Sequence, residues 1–135
     1  MWTCPECGRQ FTRRNQSHSC GNYSVDTILA KASPTSKELF ERFTSELRGA
    51  GTFDLAPAKR QMGFQRRRIF AAVTGIGKDY IRGYLVIGKE VKSRKFHRLS
   101  HPCDLYVWHH FRIDSERFFD EEFSRLVGMA YEFGK

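Results

Sequence analysis

The sequence lacks the features that direct export, membrane insertion and several common kinds of catalysis. No apolar stretch follows Met1, so we expect no signal peptide. No window reaches the roughly 18 apolar residues of a membrane-spanning helix, so we expect no membrane contact. The P-loop, the nucleophile elbow, the Rossmann glycine pattern and the H-E-x-x-H helix are all missing from the sequence. These absences favour a cytoplasmic protein and leave no motif that indicates an enzyme.

Cysteine is scarce as well, and it is unevenly placed. Three of the four cysteines lie in the first 20 residues, as Cys4-x₂-Cys7 followed by His18-x-Cys20. Three thiolates and one imidazole are a ligand set that tetrahedral Zn²⁺ takes in closed structural sites. We therefore predict a zinc site formed by Cys4, Cys7, His18 and Cys20. The alternatives are unpaired thiols or a disulfide, and the disulfide is disfavoured because nothing in the sequence suggests export. The fourth cysteine, Cys103, is expected to be a small core residue.

Acidic residues are nearly absent from the middle of the chain. Between residues 59 and 98, twelve Lys and Arg stand against Asp79 and Glu90, a net charge of +10 in a chain whose total is +8. A concentrated basic stretch is the electrostatic footprint of a polyanionic partner such as nucleic acid. A solvated strand surface in a generally basic protein accounts for the charge equally well.

Periodicity predicts an α+β fold with a small N-terminal zinc finger. We place a zinc-binding module at residues 1–24, a linker at 25–35 and an α+β domain at 36–135. A capping-box pattern at Thr35 and Glu38 opens one helix, and Ser115 caps a closing helix that extends to Phe133. Strands are predicted at residues 52–56, 63–74, 80–87, 95–99 and 104–113. Short turns between them indicate an antiparallel β-meander flanked by the N- and C-terminal helices.

Each predicted helix has an apolar stripe that needs a partner, so both helices should cover the same face of the sheet. The stripes are Leu39, Phe40, Phe43 and Leu47 in the first helix, and Phe119, Phe123, Leu126 and Ala130 in the second. In the sheet, Ile81, Leu85, Leu105, Val107 and Phe111 should face these helices.

The opposite sheet face combines arginine with aromatic residues. Its predicted members are Arg66, Arg68, Arg82, Tyr84, Tyr106, Trp108, His110 and Arg112. Aromatic rings stack on bases and arginines hold phosphates, so this pattern suits a single-stranded nucleic acid. The alternative is a second, mixed core, in which aromatic rings pack together and arginine stems extend outwards. Adjacent His109 and His110 should point to opposite faces, which makes His109 a core histidine and His110 a candidate anion contact.

Several short motifs resemble one bacterial protein family. The opening segment combines Trp2-Thr3-Cys4-Pro5-x-Cys7-Gly8-Arg9-x-Phe11 with Asn15-Gln16-x-His18-x-Cys20. Further motifs are Ala58-Lys59, Phe64-Gln65-Arg66-Arg67-Arg68, Phe70-Ala71, His109-His110-Phe111-Arg112 and Ala130-Tyr131 with Gly134. Together they resemble short zinc-finger proteins whose remaining portion is similar to the domain of unknown function 5655. The resemblance covers nearly the whole chain and implies a bacterial intracellular α+β domain, in a family that carries no established activity.

The sequence therefore favours a zinc-containing nucleic-acid-binding protein without catalysis. The phosphate and base contacts would be Arg66, Arg68, Arg82, Tyr84, Trp108, His110 and Arg112. Two alternatives stay open. One is a sensor or adaptor that binds a small anionic ligand or an acidic protein segment. The other is an enzyme that acts on a phosphorylated or carboxylated substrate.

Overall fold

The structure is a computed structural model that describes residues 2–3, 10–12, 29–30, 32–58 and 61–135. Its helices are α1 (Pro34–Ala50) and α2 (Glu121–Phe133), with a short 3₁₀ helix at Glu116–Phe118. Its strands are β1 (Trp2–Thr3), β2 (Gln10–Phe11), β3 (Asp54–Pro57), β4 (Met62–Gln65), β5 (Ile69–Gly77), β6 (Tyr80–Ile87), β7 (Phe96–Cys103) and β8 (Tyr106–Ile113). The α+β class predicted from the sequence is confirmed. None of the described helices is long and apolar enough to cross a membrane.

Six strands form one antiparallel sheet in the order β3-β4-β5-β6-β8-β7. The predicted meander is therefore wrong in its last step, because β8 pairs with β6 and β7 lies outside β8. Strands β6 and β7 run parallel, so the segment between them must cross over β8. This crossover segment (88–95) is held where the Val91 amide donates to Nε2 of His109, at 3.0 Å.

The predicted strand at 63–74 is in fact two strands with a sharp bend at residues 66–68. The amides of Arg67 and Arg68 both donate to the carbonyl oxygen of Gly134, at 2.9 and 3.1 Å. The residues just after α2 thus stabilise a bend that contains neither Gly nor Pro. The expectation that Arg66 and Arg68 lie on the sheet is wrong for this reason.

The edge strands explain where proline is tolerated. Pro57 ends β3, which is an edge strand. The predicted end of the strand at residue 99 is wrong, because β7 continues through His101 and Pro102 to Cys103. Strand β7 is the other edge, where proline costs no internal hydrogen bond, and its register shifts between Ser100 and Cys103.

Helix α1 begins slightly earlier than the capping-box pattern predicts. Its N-cap is Ser33, whose Oγ accepts from the Ser36 amide at 3.1 Å, and Pro34 occupies the first turn. Proline suits that position because its missing N–H would have no partner there. Ser115 caps the 3₁₀ helix, and Asp120 caps α2 through the Phe123 amide at 2.9 Å.

The main core lies between the two helices and one face of the sheet. Both predicted helical stripes are confirmed as buried, and Phe43 contacts Phe64 and Phe111 at ring-centroid distances of 5.6 and 5.3 Å. Residues Ile81, Leu85, Val107 and Phe111 are buried as expected. Leu105, by contrast, is 76% exposed in the turn before β8, and Cys103 is also exposed. Both expectations of burial were wrong, because Cys103 ends the edge strand β7 and Leu105 lies in the turn that follows it.

Candidate functional site

The outer face is the side of the sheet opposite α1 and α2, although Phe133 at the end of α2 packs against its central cluster. Because side chains alternate along a strand, β6 and β8 each send every second residue to this face. Its members are Tyr80, Arg82, Tyr84 and Val86 from β6, Tyr106, Trp108, His110 and Arg112 from β8, and Arg98 and Ser100 from β7. The predicted alternation of β6 and β8 is confirmed.

The centre of the outer face is a small second core. The rings of Tyr84 and Trp108 stack at a centroid distance of 4.8 Å and an interplanar angle of 15°. Ala72 and Val86 pack beside them, and Tyr84 is only 7% exposed. Burial raises the pKa of the Tyr84 hydroxyl, which therefore stays protonated at neutral pH. Tyr84 is therefore a core residue, as in the mixed-core alternative that the sequence left open. Trp108, by contrast, is partly exposed to solvent.

One end of the outer face carries two exposed arginines. Arg82 and Arg112 are direct partners across β6 and β8, and both lie near the ring of Tyr80. The guanidinium carbons lie 5.7 Å (Arg82) and 4.1 Å (Arg112) from the ring centroid. Within the described part of the chain, no carboxylate forms a salt bridge with either one. Like charges directly opposite each other destabilise a sheet. An anion bound at this arginine pair would therefore reduce the repulsion between the two side chains.

A polar cluster lies beside the small core, where β8 meets the edge strand β7. Nε2 of His110 lies 2.8 Å from Oγ of Ser100 and 3.4 Å from Nη2 of Arg98. Burial lowers the pKa of His110, and the positive charges of Arg98 and His97 lower it further. His110 is therefore mostly neutral at pH 7 and holds a free lone pair.

His109 points to the opposite face, as predicted for adjacent residues of a strand. It is fully buried, with Nδ1 3.0 Å from the carbonyl oxygen of Val107 and Nε2 accepting from the Val91 amide. Burial lowers the pKa of its imidazole. Both nitrogens are satisfied by backbone groups, so His109 is the core histidine that the sequence favoured.

Arg66 and Arg68 do not join the outer face. Arg66 donates from Nη1 to the carbonyl oxygen of Tyr131 at 3.0 Å, and its guanidinium lies 3.9 Å from the Tyr131 ring centroid. The guanidinium of Arg68 lies 5.2 Å from the ring centroid of Phe133. These arginines secure the C-terminal turn of α2, where cations also complement the helix dipole.

Sequence reasoning missed Tyr80, Arg98 and Ser100 as members of the site. Tyr80 lies two residues before Arg82 in the same strand, so the alternation of side chains already places both on one face. Arg98 and Ser100 reach the site because β7 pairs with β8 and shifts register between Phe96 and Arg98. No local pattern in the sequence predicts the pairing of β7 with β8.

All four predicted zinc ligands (Cys4, Cys7, His18 and Cys20) lie outside the described residues. What the structure does describe is an antiparallel pair of short strands, with Trp2 opposite Phe11 and Thr3 opposite Gln10. The segment that joins these strands contains Cys4 and Cys7. Among the described residues, no group of three or more His, Cys, Asp or Glu is arranged to hold a metal ion.

The described residues from α1 onwards therefore define a class of protein: an α+β domain with two helices on one face of a six-stranded antiparallel sheet and exposed arginines on the other. The chain belongs to the family described as Domain of unknown function (DUF5655), which matches residues 25–134. Comparisons with curated proteins and with solved structures give no match.

Proposed function

We propose that this protein binds single-stranded DNA or RNA through the outer face, without catalysis. The observation that carries the proposal is the arginine pair, because Arg82 and Arg112 are exposed, adjacent and without a carboxylate partner among the described residues. A run of phosphates supplies the negative charge that this end of the sheet lacks. Arg98 extends the basic surface along the neighbouring edge strand.

Base contacts in this proposal come from the rings that keep access to solvent. Trp108 is partly exposed and supported from beneath by Tyr84, which holds the indole in one orientation. Tyr80 is partly exposed beside the arginine pair. Stacking on an aromatic ring contributes roughly 1–3 kcal/mol per base and tolerates any sequence. The buried Tyr84 acts as a support for Trp108 and makes no base contact of its own.

The experiment measures binding of labelled single-stranded oligonucleotides by fluorescence anisotropy at several salt concentrations. Replacing Arg82 and Arg112 by Ala should weaken binding and flatten the slope of log K against log salt. Each lost phosphate contact removes about 0.7 from that slope. The matched control replaces Arg117 and Arg125, two exposed arginines elsewhere on the molecule, by Ala and should keep the parental slope.

Trp108→Ala separates stacking from charge. This variant should weaken binding with little change in the salt slope, because stacking releases few counterions. Equal binding by the parent and the folded Arg82/Arg112 variant at every salt concentration would overturn the proposal.

A small anionic ligand is the second candidate, and the arginine pair is the observation that favours it. Both guanidiniums lie near one ring, and guanidinium groups bind phosphate and carboxylate groups strongly. A sensor or adaptor of this kind would bind inorganic phosphate or an acidic peptide with only a weak dependence on salt. Phosphate titration of the parent and the double variant therefore tests this candidate directly.

The proposal includes one Zn²⁺ ion held by Cys4, Cys7, His18 and Cys20 in a reducing, cytoplasmic setting. The donor set suits zinc, and β1 pairs with β2 on either side of the segment that contains Cys4 and Cys7. Elemental analysis of purified protein should find about one zinc per chain, and Cys20→Ser should lose it. The domain from α1 onwards should stay folded, because its own helices and sheet form a core from Leu39 to Ala130. Full zinc content in Cys20→Ser would contradict the ligand assignment.

A further inference from the structure

Ser100 and His110 form a hydrogen-bonded pair on the outer face that nucleic-acid binding does not require. We propose that this pair is a reactive serine site, in which Ser100 accepts an acyl group from donors of the acyl phosphate class. His110 acts as the general base, and Arg98 holds the phosphate of the donor. The inference shares Arg98 with the proposed nucleic-acid surface, but it assigns chemistry to the Ser100–His110 pair, which that proposal does not use.

The direction of the hydrogen bond follows from the donors around His110. The guanidinium of Arg98 has only N–H groups to offer, and its Nη2 lies 3.4 Å from Nε2 of His110. In the tautomer that can accept from Arg98, Nε2 carries the lone pair and the proton of the neutral ring lies on Nδ1. The hydroxyl of Ser100, 2.8 Å from Nε2, then donates to that same lone pair. This is the polarity that a general base needs in order to take a proton from a nucleophile.

Burial and the groups around His110 lower the pKa of its imidazole, so the Nε2 lone pair is unprotonated near neutral pH. Arg98, His97 and His109 are the charged or titratable groups that lower the pKa of the imidazole, in addition to burial. Tyr84 also lies against the ring, at 5.8 Å between centroids, and stays neutral because its own pKa is raised. Two other serines provide a comparison, since Ser93 and Ser124 donate to the carboxylates of Glu122 and Glu46. A carboxylate is a much weaker base than imidazole, so these serines should not be activated.

The proposed step transfers one acyl group and balances without any further reactant. Ser100 Oγ attacks the acyl carbon, and its proton passes to Nε2 of His110. The bond between the acyl carbon and the phosphate oxygen breaks, and the phosphate takes the proton from His110 as it leaves. The products are a serine ester at Ser100 and inorganic phosphate. An acyl phosphate suits this site because its leaving group is stable as an anion and Arg98 provides a positive charge beside it.

The test treats the intact protein with acetyl phosphate and follows acetylation of each serine by peptide mass spectrometry. Hydroxylamine removes esters and leaves acetyl-lysine, so it separates the serine product from background modification. Ser100 should react about 100-fold or more faster than Ser93 and Ser124, which is the low end of general-base catalysis. Because this comparison is made within one folded molecule, it needs no variant.

Variants then assign the roles. His110→Gln should lower the acetylation rate of Ser100 to that of Ser93. Arg98→Gln should slow the reaction with acetyl phosphate and spare the reaction with p-nitrophenyl acetate, a neutral ester. The parental rate should rise with pH and level off with a midpoint below 6.5, the ordinary pKa of histidine. Ser100→Ala should remove the ester, whereas replacing Arg82 and Arg112 by Ala should leave acetylation of Ser100 unchanged, which keeps the two proposals separate.

Two results would overturn this inference. One is equal acetylation of Ser100, Ser93 and Ser124 in the parent protein. The other is a Ser100 rate that His110→Gln does not change. Either result would reduce the pair to a hydrogen bond that joins β7 to β8.

Discussion

The two faces of the sheet are built from the same strands and both are rich in aromatic residues, yet they differ in what surrounds those rings. On the helix-covered face, Phe64, Phe111 and Phe123 are fully buried among aliphatic side chains. On the outer face, the stacked pair of Tyr84 and Trp108 is bordered by arginine and histidine. Aromatic content alone therefore does not identify a binding surface. The distinguishing feature is charge that the described residues leave unpaired.

The largest expected effect tests the helix-covered face. Phe123→Ala should lower the free energy of unfolding by roughly 3–5 kcal/mol, because it removes a fully buried ring from the centre of the Phe cluster. Chemical denaturation followed by circular dichroism measures this change. A loss below about 1 kcal/mol would show that the two faces do not differ in packing as described here.

The same truncation on the outer face should cost less. Trp108→Ala removes a stacked but partly exposed ring, so we expect a loss of about 1–2 kcal/mol. Trp108→Phe is the matched control and should recover part of this loss, since Phe can still pack on Tyr84. If Trp108→Ala destabilises the protein as much as Phe123→Ala, the outer face is a true core and its role in binding is contradicted.

The adjacent histidines allow a comparison by pH. Burial lowers the pKa of His109 in the folded protein, so between that value and 6.5 the unfolded chain binds the extra proton. Stability should therefore fall as the pH drops below about 6.5, the ordinary pKa of histidine. Protonated Nε2 can no longer accept from the Val91 amide, which should release the crossover segment first.

Equilibrium unfolding from pH 7.5 down to pH 5 measures this dependence. His109→Gln, whose side-chain oxygen can accept from Val91, should flatten the curve in that range. His110→Gln should change it less, because His110 is partly exposed. A parental curve that stays flat below pH 6.5 would contradict the assignment of His109 as neutral and buried.

The smallest expected effect concerns the arginine pair. Arg82→Glu places an acid opposite Arg112 and should raise stability by about 0.2–1 kcal/mol at low salt, because it replaces repulsion by attraction. The same change should abolish most oligonucleotide binding. Arg117→Glu, on an exposed residue far from the sheet pairing, is the control for charge alone. A gain in stability together with a loss of binding would show that the pair is kept for its ligand at the expense of the fold.

Local patterns in the sequence were enough to predict the two helices and the two faces of the sheet. Strand β6 has both predicted ends, at Tyr80 and Ile87, since a turn at Lys78 and Asp79 precedes it and a glycine follows it. The apolar stripe through Phe43 and Phe123 follows directly from helical periodicity. In β6 and β8, strict alternation of polar and apolar residues was enough to assign Arg82 and Arg112 to one side.

The errors arose where distant residues decide the local structure. The bend at residues 66–68 depends on the carbonyl of Gly134, about half the chain away, so nothing near Arg66 indicates it. The position of β7 depends on His109 and Val91, which belong to different elements. The predicted site residues on β6 and β8 do lie on the outer face, whereas Arg66 and Arg68 do not. Arg98 and Ser100 lie on that face but were not predicted.

The strand order has a consequence for how the protein forms during synthesis. Strand β7 leaves the ribosome before β8, but among the described strands its only neighbour in the sheet is β8. Until β8 has been made and has docked on β6, the residues of β7 have no hydrogen-bonding partner and the edge of β6 is open. Pairing with β8 must therefore insert a late strand between two early ones. During that interval Pro102, which has no backbone N–H to donate, discourages pairing of the unpaired β7 with another chain.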